Sequence, residues 1–281
     1  MHICNSIADF RNFRRPLVDR KIVFVPTMGA LHEGHGSLVQ LARRLAGANG
    51  IVAVSIFVNP TQFGPNEDFH KYPRPFEQDL TNLTRWETDV VFSPSPQDMY
   101  PAENMITIDP GPLGKVLDGA IRPGHFQGVC TVVAKLLGII GPDVMILGQK
   151  DYQQQLILRQ MVTDLNMPVE IVTAATMREP DGLAMSSRNQ YLSPDQRPRA
   201  GAIYQALILA QQQYQSGVRE AAVLQAGMIE KLTHAGMEHQ YALACNAQTL
   251  IPFSDKVDAP CVLLIAAKLG TTRLIDNLIL S

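Results

Sequence analysis

The chain has 281 residues, of which 46% are hydrophobic and 18% charged, and it carries a formal net charge of −2. This length and composition suit an ordinary globular protein with one large core and a smaller one, and the near-neutral balance without a basic tract excludes a nucleic acid held through many phosphate contacts. Cys4, Cys130, Cys245 and Cys261 follow neither metal-site nor disulfide spacing, the opening MHICNSIADFRNFRR lacks the apolar stretch of a signal peptide, and no apolar run is long enough to span a bilayer. A soluble, cytoplasmic protein acting on small molecules is expected, with neither a nucleic-acid nor a membrane partner.

In chain order, the first β-rich run is Ile22 to Val25, followed by the loop PTMGALHEGHGSL and a helical stripe of Leu38, Leu41, Ala42 and Leu45. Ile51 to Val58 reads as the next strand, and Phe76, Leu80 and Leu83 mark the next helix. Val90 to Phe92 and Met105 to Ile108 are further strand candidates. They precede a helix carrying Val129, Val132, Val133, Leu136 and Leu137, then Val144 to Leu147 and Val169 to Ala174. Strands alternating with amphipathic helices predict an α/β fold, a Rossmann-like parallel sheet flanked by helices. After Ala174 the pattern changes. A polar segment, REPDGLAMSSRNQYLSPDQRP, leads into helices near Ala200 to Gln213 and Ala221 to Leu232 and into β-like runs at Gln240 to Cys245 and Cys261 to Ala267. The expected division is residues 1–178 as the nucleotide- and substrate-binding domain and residues 179–281 as a smaller α+β domain acting as a lid.

Ligands of open parallel sheets bind beyond the carboxyl ends of the strands, and the loops holding HEGH, NPTQF and LGQKD each directly follow an apolar run. His32 and His35 lie where a strand hands over to a helix beginning near Gly34, with Pro26 and Gly29 punctuating the crossing. A helix start of this kind favours anions, and two imidazoles beside it supply donors to phosphoryl oxygens. A His-x-x-His pair alone is more often two surface histidines; its position after the strand is what favours the phosphate reading. Zinc is set aside, because HEGH is not the HExxH of metalloproteases and no further ligand cluster accompanies it.

PTMGALHEGHGSL, SIFVNPTQF, EDFHKYPR, RPGHFQGVCTVVAKL, LGQKDYQQ and REPDGLAMSSRN together resemble the motif series of the pantothenate synthetase (pantoate:β-alanine ligase) family, in order from about Phe24 to Leu192. Glu33, Gly36 and Thr61 occupy variable places in those motifs. The resemblance implies an ATP-dependent, AMP-forming ligase in the HxGH nucleotidylyltransferase superfamily. Pantoate's carboxylate attacks the α-phosphorus of ATP, and β-alanine's amine then displaces AMP from the pantoyl adenylate. His35, His32, Lys150 and Arg188 are implied as catalytic. Met28, Gly29, Gly34, Gly148, Asp151, Met177, Met185, Ser186 and Ser187 join those four at ATP, and Gln62, Gln154, Asn59, Tyr72 and Met28 are implied at pantoate or β-alanine.

The chemistry agrees with these residue types. A carboxylate approaching a polyphosphate needs donors and cations to offset like charges, and carboxamides serve a hydroxy acid with donor and acceptor alike. Phe63 is a candidate apolar wall with Met28. Arg122 and His125 of RPGH are candidates without an assigned step. Mg²⁺ is expected with ATP, its protein ligands unassigned, although Glu77 and Asp79 form an acidic segment of interest. The resemblance also implies a homodimer. Another HxGH nucleotidylyltransferase, or an ATP-binding module without catalysis, stays open as an alternative at this stage.

Overall fold

Ile22, Val23, Phe24 and Val25 are all wholly buried, so the strand they form is covered on both faces, as parallel sheets are. The structure, a computed structural model, describes residues 1–65, 67–101 and 106–280. It divides into two units, Met1–Gly148 with Gln153–Ala174, and Gln149–Tyr152 with Ala175–Ser281.

The first unit carries strands β1 (His2–Cys4), β2 (Ile22–Thr27), β3 (Ile51–Ile56), β4 (Val90–Phe92), β5 (Val144–Gly148) and β6 (Glu170–Ala174). Its helices are α1 (Ile7–Arg14), α2 (Glu33–Ala46), α3 (Phe76–Arg85), α4 (Pro96–Met99), α5 (Asp118–Ile121), α6 (His125–Ile140) and, from Gln153 onward, α7 (Tyr152–Asp164). The strands form a parallel sheet in the order β1-β4-β3-β2-β5-β6. Alternation along each strand sorts the core into two layers. Ile22, Phe24, Ile51, Phe92 and Met145 pack with Phe10 of α1, with the apolar stripe of α6 and with Ile157 and Leu158 of α7. Val23, Val25, Val52, Val54 and Ile146 pack with Val39 and Ala42 of α2 and Leu83 of α3. Burying one such side chain contributes about 1.5–3 kcal/mol. The chain runs β2, β3, β4 in one direction and returns to place β5 on the other side of β2. The switch point, where such sheets bind ligands, is therefore at the carboxyl ends of β2 and β5.

The α/β architecture agrees with the expectation from the sequence, with local differences. No strand forms over Ile106 to Ile108, and Met105 lies outside the described residues. Ile106 is 84% exposed, and the Ile108 N–H donates to Thr131 Oγ1 of α6 at 3.1 Å, so a side chain takes the place of a neighbouring strand.

The second unit contains α8 (Arg197–Ala200), α9 (Ala202–Gln215), α10 (Ala221–His234) and strands β7 (Glu238–Asn246), β8 (Cys261–Leu269) and β9 (Thr272–Leu280) in an antiparallel sheet of order β7-β8-β9. Ala206, Leu207, Leu224 and Met228 of the helices close over Ala244, Leu263 and Ile265 of the sheet. Among the described residues no helix is long and apolar enough to cross a membrane. The four cysteines are buried without a disulfide. Burial pushes Cys4 up to about 11 and Cys130, Cys245 and Cys261 up to about 12, so all four are thiols rather than nucleophilic thiolates.

Candidate active site

Between β2 and α2 the backbone takes two consecutive left-handed residues, Gly29 (φ 81°) and Ala30 (φ 51°), before His32 caps the helix. A side chain at Gly29 would place its Cβ 2.9 Å from Asp79 Oδ2. That carboxylate fixes the loop: Oδ2 accepts from the Ala30 N–H at 2.9 Å and Oδ1 from the Leu31 N–H at 2.7 Å, with Asp79 only 1% exposed. Burial pushes the Asp79 carboxyl up, against the pull of the Leu31 and Ala30 N–H groups. Asp79 is thus a fastening for the loop, with both oxygens occupied, while Glu77 is exposed. Among the described residues no trio of His, Cys, Asp or Glu side chains is placed to hold a metal ion.

The two histidines form a reciprocal capping box. His32 Nδ1 accepts from the Gly34 N–H at 3.2 Å, and His35 Nδ1 accepts from the His32 N–H at 3.3 Å, with ring centroids 4.1 Å apart. A nitrogen that accepts carries no proton, so each ring in its neutral form bears its hydrogen on Nε2. The pair therefore combines two Nε2–H donors with a helix N-terminus, all suited to phosphate oxygens. Gly36, in a variable place of the motif, has a structural reason of its own: a Cβ there would lie 2.6 Å from the Trp86 indole.

Beyond β3, Asn59 and Gln62 sit on the 3₁₀ turn Pro60–Gln62, both buried. Asn59 Nδ2 donates to Gln62 Oε1 (3.1 Å) and Gly128 O (3.2 Å), while its Oδ1 accepts from Tyr100 OH (2.8 Å) and Thr61 Oγ1 (3.0 Å). With its carboxamide engaged at both ends, Asn59 orients Gln62. Gln62 Nε2 is thereby turned to Met28 Sδ at 3.0 Å, a weak acceptor that a carboxylate or hydroxyl outcompetes. Phe63 and Tyr72 stand edge to face at 6.1 Å. In α7, Gln153 and Gln155 are tied to the protein: Gln153 Nε2 donates to the Leu113 and Val116 carbonyls at 2.8 Å, and Gln155 Oε1 accepts from Thr173 Oγ1 at 3.1 Å. Gln154, half-buried between them, takes no part in those contacts. Gly148 ends β5.

The second unit holds the remaining residues. Lys150 Nζ is 3.8 Å from Asp151 Oδ1, and Asn277 Nδ2 of β9 donates to the Gln149 and Lys150 carbonyls, each at 2.9 Å. Met177 and Met185 are rungs of one hairpin, the Met185 N–H donating to Met177 O at 3.0 Å. Within it Arg178 donates to the buried Asp276 at 2.5 and 3.0 Å and to Gly182 O at 3.0 Å. Ser186 accepts from the Arg188 N–H at 3.3 Å, capping the 3₁₀ turn Ser187–Tyr191.

Local spacing assigns no role to Asp79 and does not single out Asn277. Asp79 shares the stripe of Phe76, Leu80 and Leu83, and a charge on an apolar stripe is a signal of a buried partner. Asn277 offered no such signal.

Comparison with known proteins identifies the family. A family model described as Pantoate-beta-alanine ligase matches residues 2–279. The chain is 47% identical to a pantothenate synthetase of Thermotoga neapolitana over the full length of both, and 47% identical to pantothenate synthetase 1 of Bradyrhizobium diazoefficiens over 98% of this chain and 94% of that one. Among solved structures, pantothenate synthetase from Thermus thermophilus superposes with a TM-score of 0.92 at 42% identity, covering 99% of each chain. The pantoate–β-alanine ligase of Francisella tularensis, complexed with β-γ ATP and β-alanine, gives 0.82 at 39% identity over 99% of this chain and 97% of that one. A match over nearly the whole length, on a fold that carries the HxGH loop at the end of β2, means that this chain belongs to the pantoate–β-alanine ligase family.

Proposed function

We propose that the chain joins pantoate to β-alanine in two steps, with the side chains described above dividing the work. In the first, an oxygen of pantoate's carboxylate bonds to the α-phosphorus of ATP as the bond to the bridging oxygen breaks and pyrophosphate leaves. That carboxylate is ionised at neutral pH, so no general base is needed. What the step needs is relief of charge repulsion. His32 and His35, as Nε2–H donors, serve the phosphoryl oxygens where negative charge grows, and Lys150 and Arg188 add cationic charge. Met28, Gly29, Gly34, Gly148, Asp151, Met177, Met185, Ser186 and Ser187 complete the nucleotide's surroundings. Mg²⁺ enters with ATP as part of the substrate.

In the second step the neutral β-alanine amine bonds to the acyl carbon, AMP departs with the electron pair of the C–O bond, and the nitrogen passes one proton to solvent while keeping one N–H in the amide. Gln62 and Gln154 hold the acyl group with Tyr72 beside them, and Asn59 orients Gln62. The observation that carries this reading is the pairing of a histidine capping box after β2 with a buried carboxamide after β3, since β2 and β3 are adjacent parallel strands. Family resemblance also supports a homodimer in the cytoplasm, and light scattering tests the former. Incubation with ATP, pantoate and β-alanine is expected to yield pantothenate, AMP and pyrophosphate in equal amounts. Formation of ADP and phosphate in their place would contradict the adenylate route.

A further inference from the structure

The turn that carries Gln62 is gripped by the amino end of α6. Gly124 (φ 83°) precedes the helix, and His125 and Gly128, three residues apart, lie on one face of its first turn. A Cβ at Gly128 would fall 2.3 Å from Thr61 O and 2.8 Å from Gln62 Cα, so only glycine lets the two backbones approach this closely. One residue pair away, His125 Nδ1 is 2.8 Å from Gln62 O. A carbonyl only accepts, so Nδ1 carries the proton. The other ring nitrogen, Nε2, lies 3.0 Å from Arg122 Nη1, and guanidinium only donates, so Nε2 is the acceptor. Arg122 in turn is held by a fork, Nε to Glu67 Oε1 and Nη2 to Glu67 Oε2, each at 2.6 Å.

We infer that Glu67, Arg122 and His125 are positioning residues for Gln62, a carboxylate–guanidinium–imidazole chain that sets the turn Pro60–Gln62 so that the Gln62 carboxamide meets the acid substrate. The inference rests on the ligase reading. The chain has a fixed direction: every hydrogen donates toward either Gln62 O or Glu67, and a second proton on His125 would set N–H against N–H at Arg122. Burial, then the charge of Arg122, lowers the His125 imidazole to about 4, against the hydrogen bond to Gln62 and the carboxylates of Glu67 and Asp118. For Glu67, burial pushes upward, but the hydrogen bonds and charge of Arg122 outweigh it and the carboxyl sits below its ordinary value. Both groups thus keep, through the neutral range, the forms the chain requires.

The test is steady-state kinetics with pantoate and ATP varied separately. His125→Leu removes the shorter of two contacts to Gln62 O, leaving only Arg122 Nη2 at 3.5 Å, and its KM for pantoate is expected to rise about ten-fold or more, the scale of one lost orienting hydrogen bond, while KM for ATP stays within about three-fold. His125→Asn, whose Nδ2 falls near the position of the imidazole Nδ1, is expected to restore KM for pantoate to within about three-fold of the starting protein. Glu67→Gln, which keeps shape but weakens the hold on Arg122, is expected to raise KM for pantoate about three-fold and to carry the test if His125→Leu does not fold. Unchanged KM for pantoate in folded His125→Leu or in Glu67→Gln overturns the proposal, as does a matching rise in both KM values. A starting protein that turned over no pantoate would overturn the ligase reading and this proposal with it, whereas normal starting kinetics with an unresponsive variant overturns this proposal alone.

Discussion

Two loops leave neighbouring parallel strands at the same end of the first unit's sheet, and they are fastened by opposite means. The loop after β2 hangs from a buried anion, Asp79, which takes two backbone N–H groups, while the two imidazoles cap the helix start through Nδ1. The turn after β3 hangs chiefly from uncharged groups, Asn59 and His125, with a longer contact from Arg122 Nη2 to Gln62 O at 3.5 Å and Glu67 holding Arg122 in place. On the proposed reading, the difference suits the two ligands. A polyphosphate calls for dense donors at a helix start, whereas a small hydroxy acid calls for an oriented carboxamide that adds no charge of its own.

The largest effect expected from breaking this contrast is on catalysis. His35→Ala should lower the single-turnover rate of adenylate formation by about 10²-fold or more with the fold intact, as losing a transition-state donor does. Gln62→Ala should act chiefly through KM for pantoate. If the two variants behaved alike, the loops would not divide the work.

Next comes the pH dependence of stability. His125 protonates near 6.5 when unfolded and near 4 when folded, so between those values the unfolded chain binds more protons. The contribution is therefore fully present above about 6.5 and is lost as pH falls toward 4, amounting to about 3 kcal/mol. Urea denaturation across that window measures it, and His125→Asn should flatten the slope. An unchanged slope would remove His125 as its source.

Asp79→Asn replaces one acceptor with a donor facing an N–H, and a cost of about 2 kcal/mol is expected in the same denaturation experiment. An unshifted midpoint would mean that the β2 loop holds without the anion. The smallest effect is in the second unit, where Ser186→Ala removes a single cap and should cost about 1 kcal/mol or less. A loss well above that would give Ser186 more than a capping part.

How much of this was legible in the letters depended on range. The central strands showed as unbroken apolar runs because both faces are covered, and His32 and His35 stood out because they follow such a run directly. The three-residue edge strand β1 is too short for a pattern, and β9 hid its alternation behind the polar residues Asp276 and Asn277, which are buried. Met105 to Ile108 resembled a strand only because composition does not reveal that Ile106 faces solvent. The supports of the site were the least readable part. Asp79 meets Ala30 and Leu31 across 49 and 48 residues, and His125 meets Gln62 across 63. Such partners are set by the order of strands in the sheet, and no local spacing encodes them.

The claim that the molecule first activates its acid substrate by adenylation is tested most directly by isotope exchange between ATP and labelled pyrophosphate, with β-alanine left out. The account predicts exchange that appears on adding pantoate and falls by about 10²-fold in His35→Ala. Exchange that proceeds equally without pantoate, or none in a protein that still makes pantothenate, would contradict it.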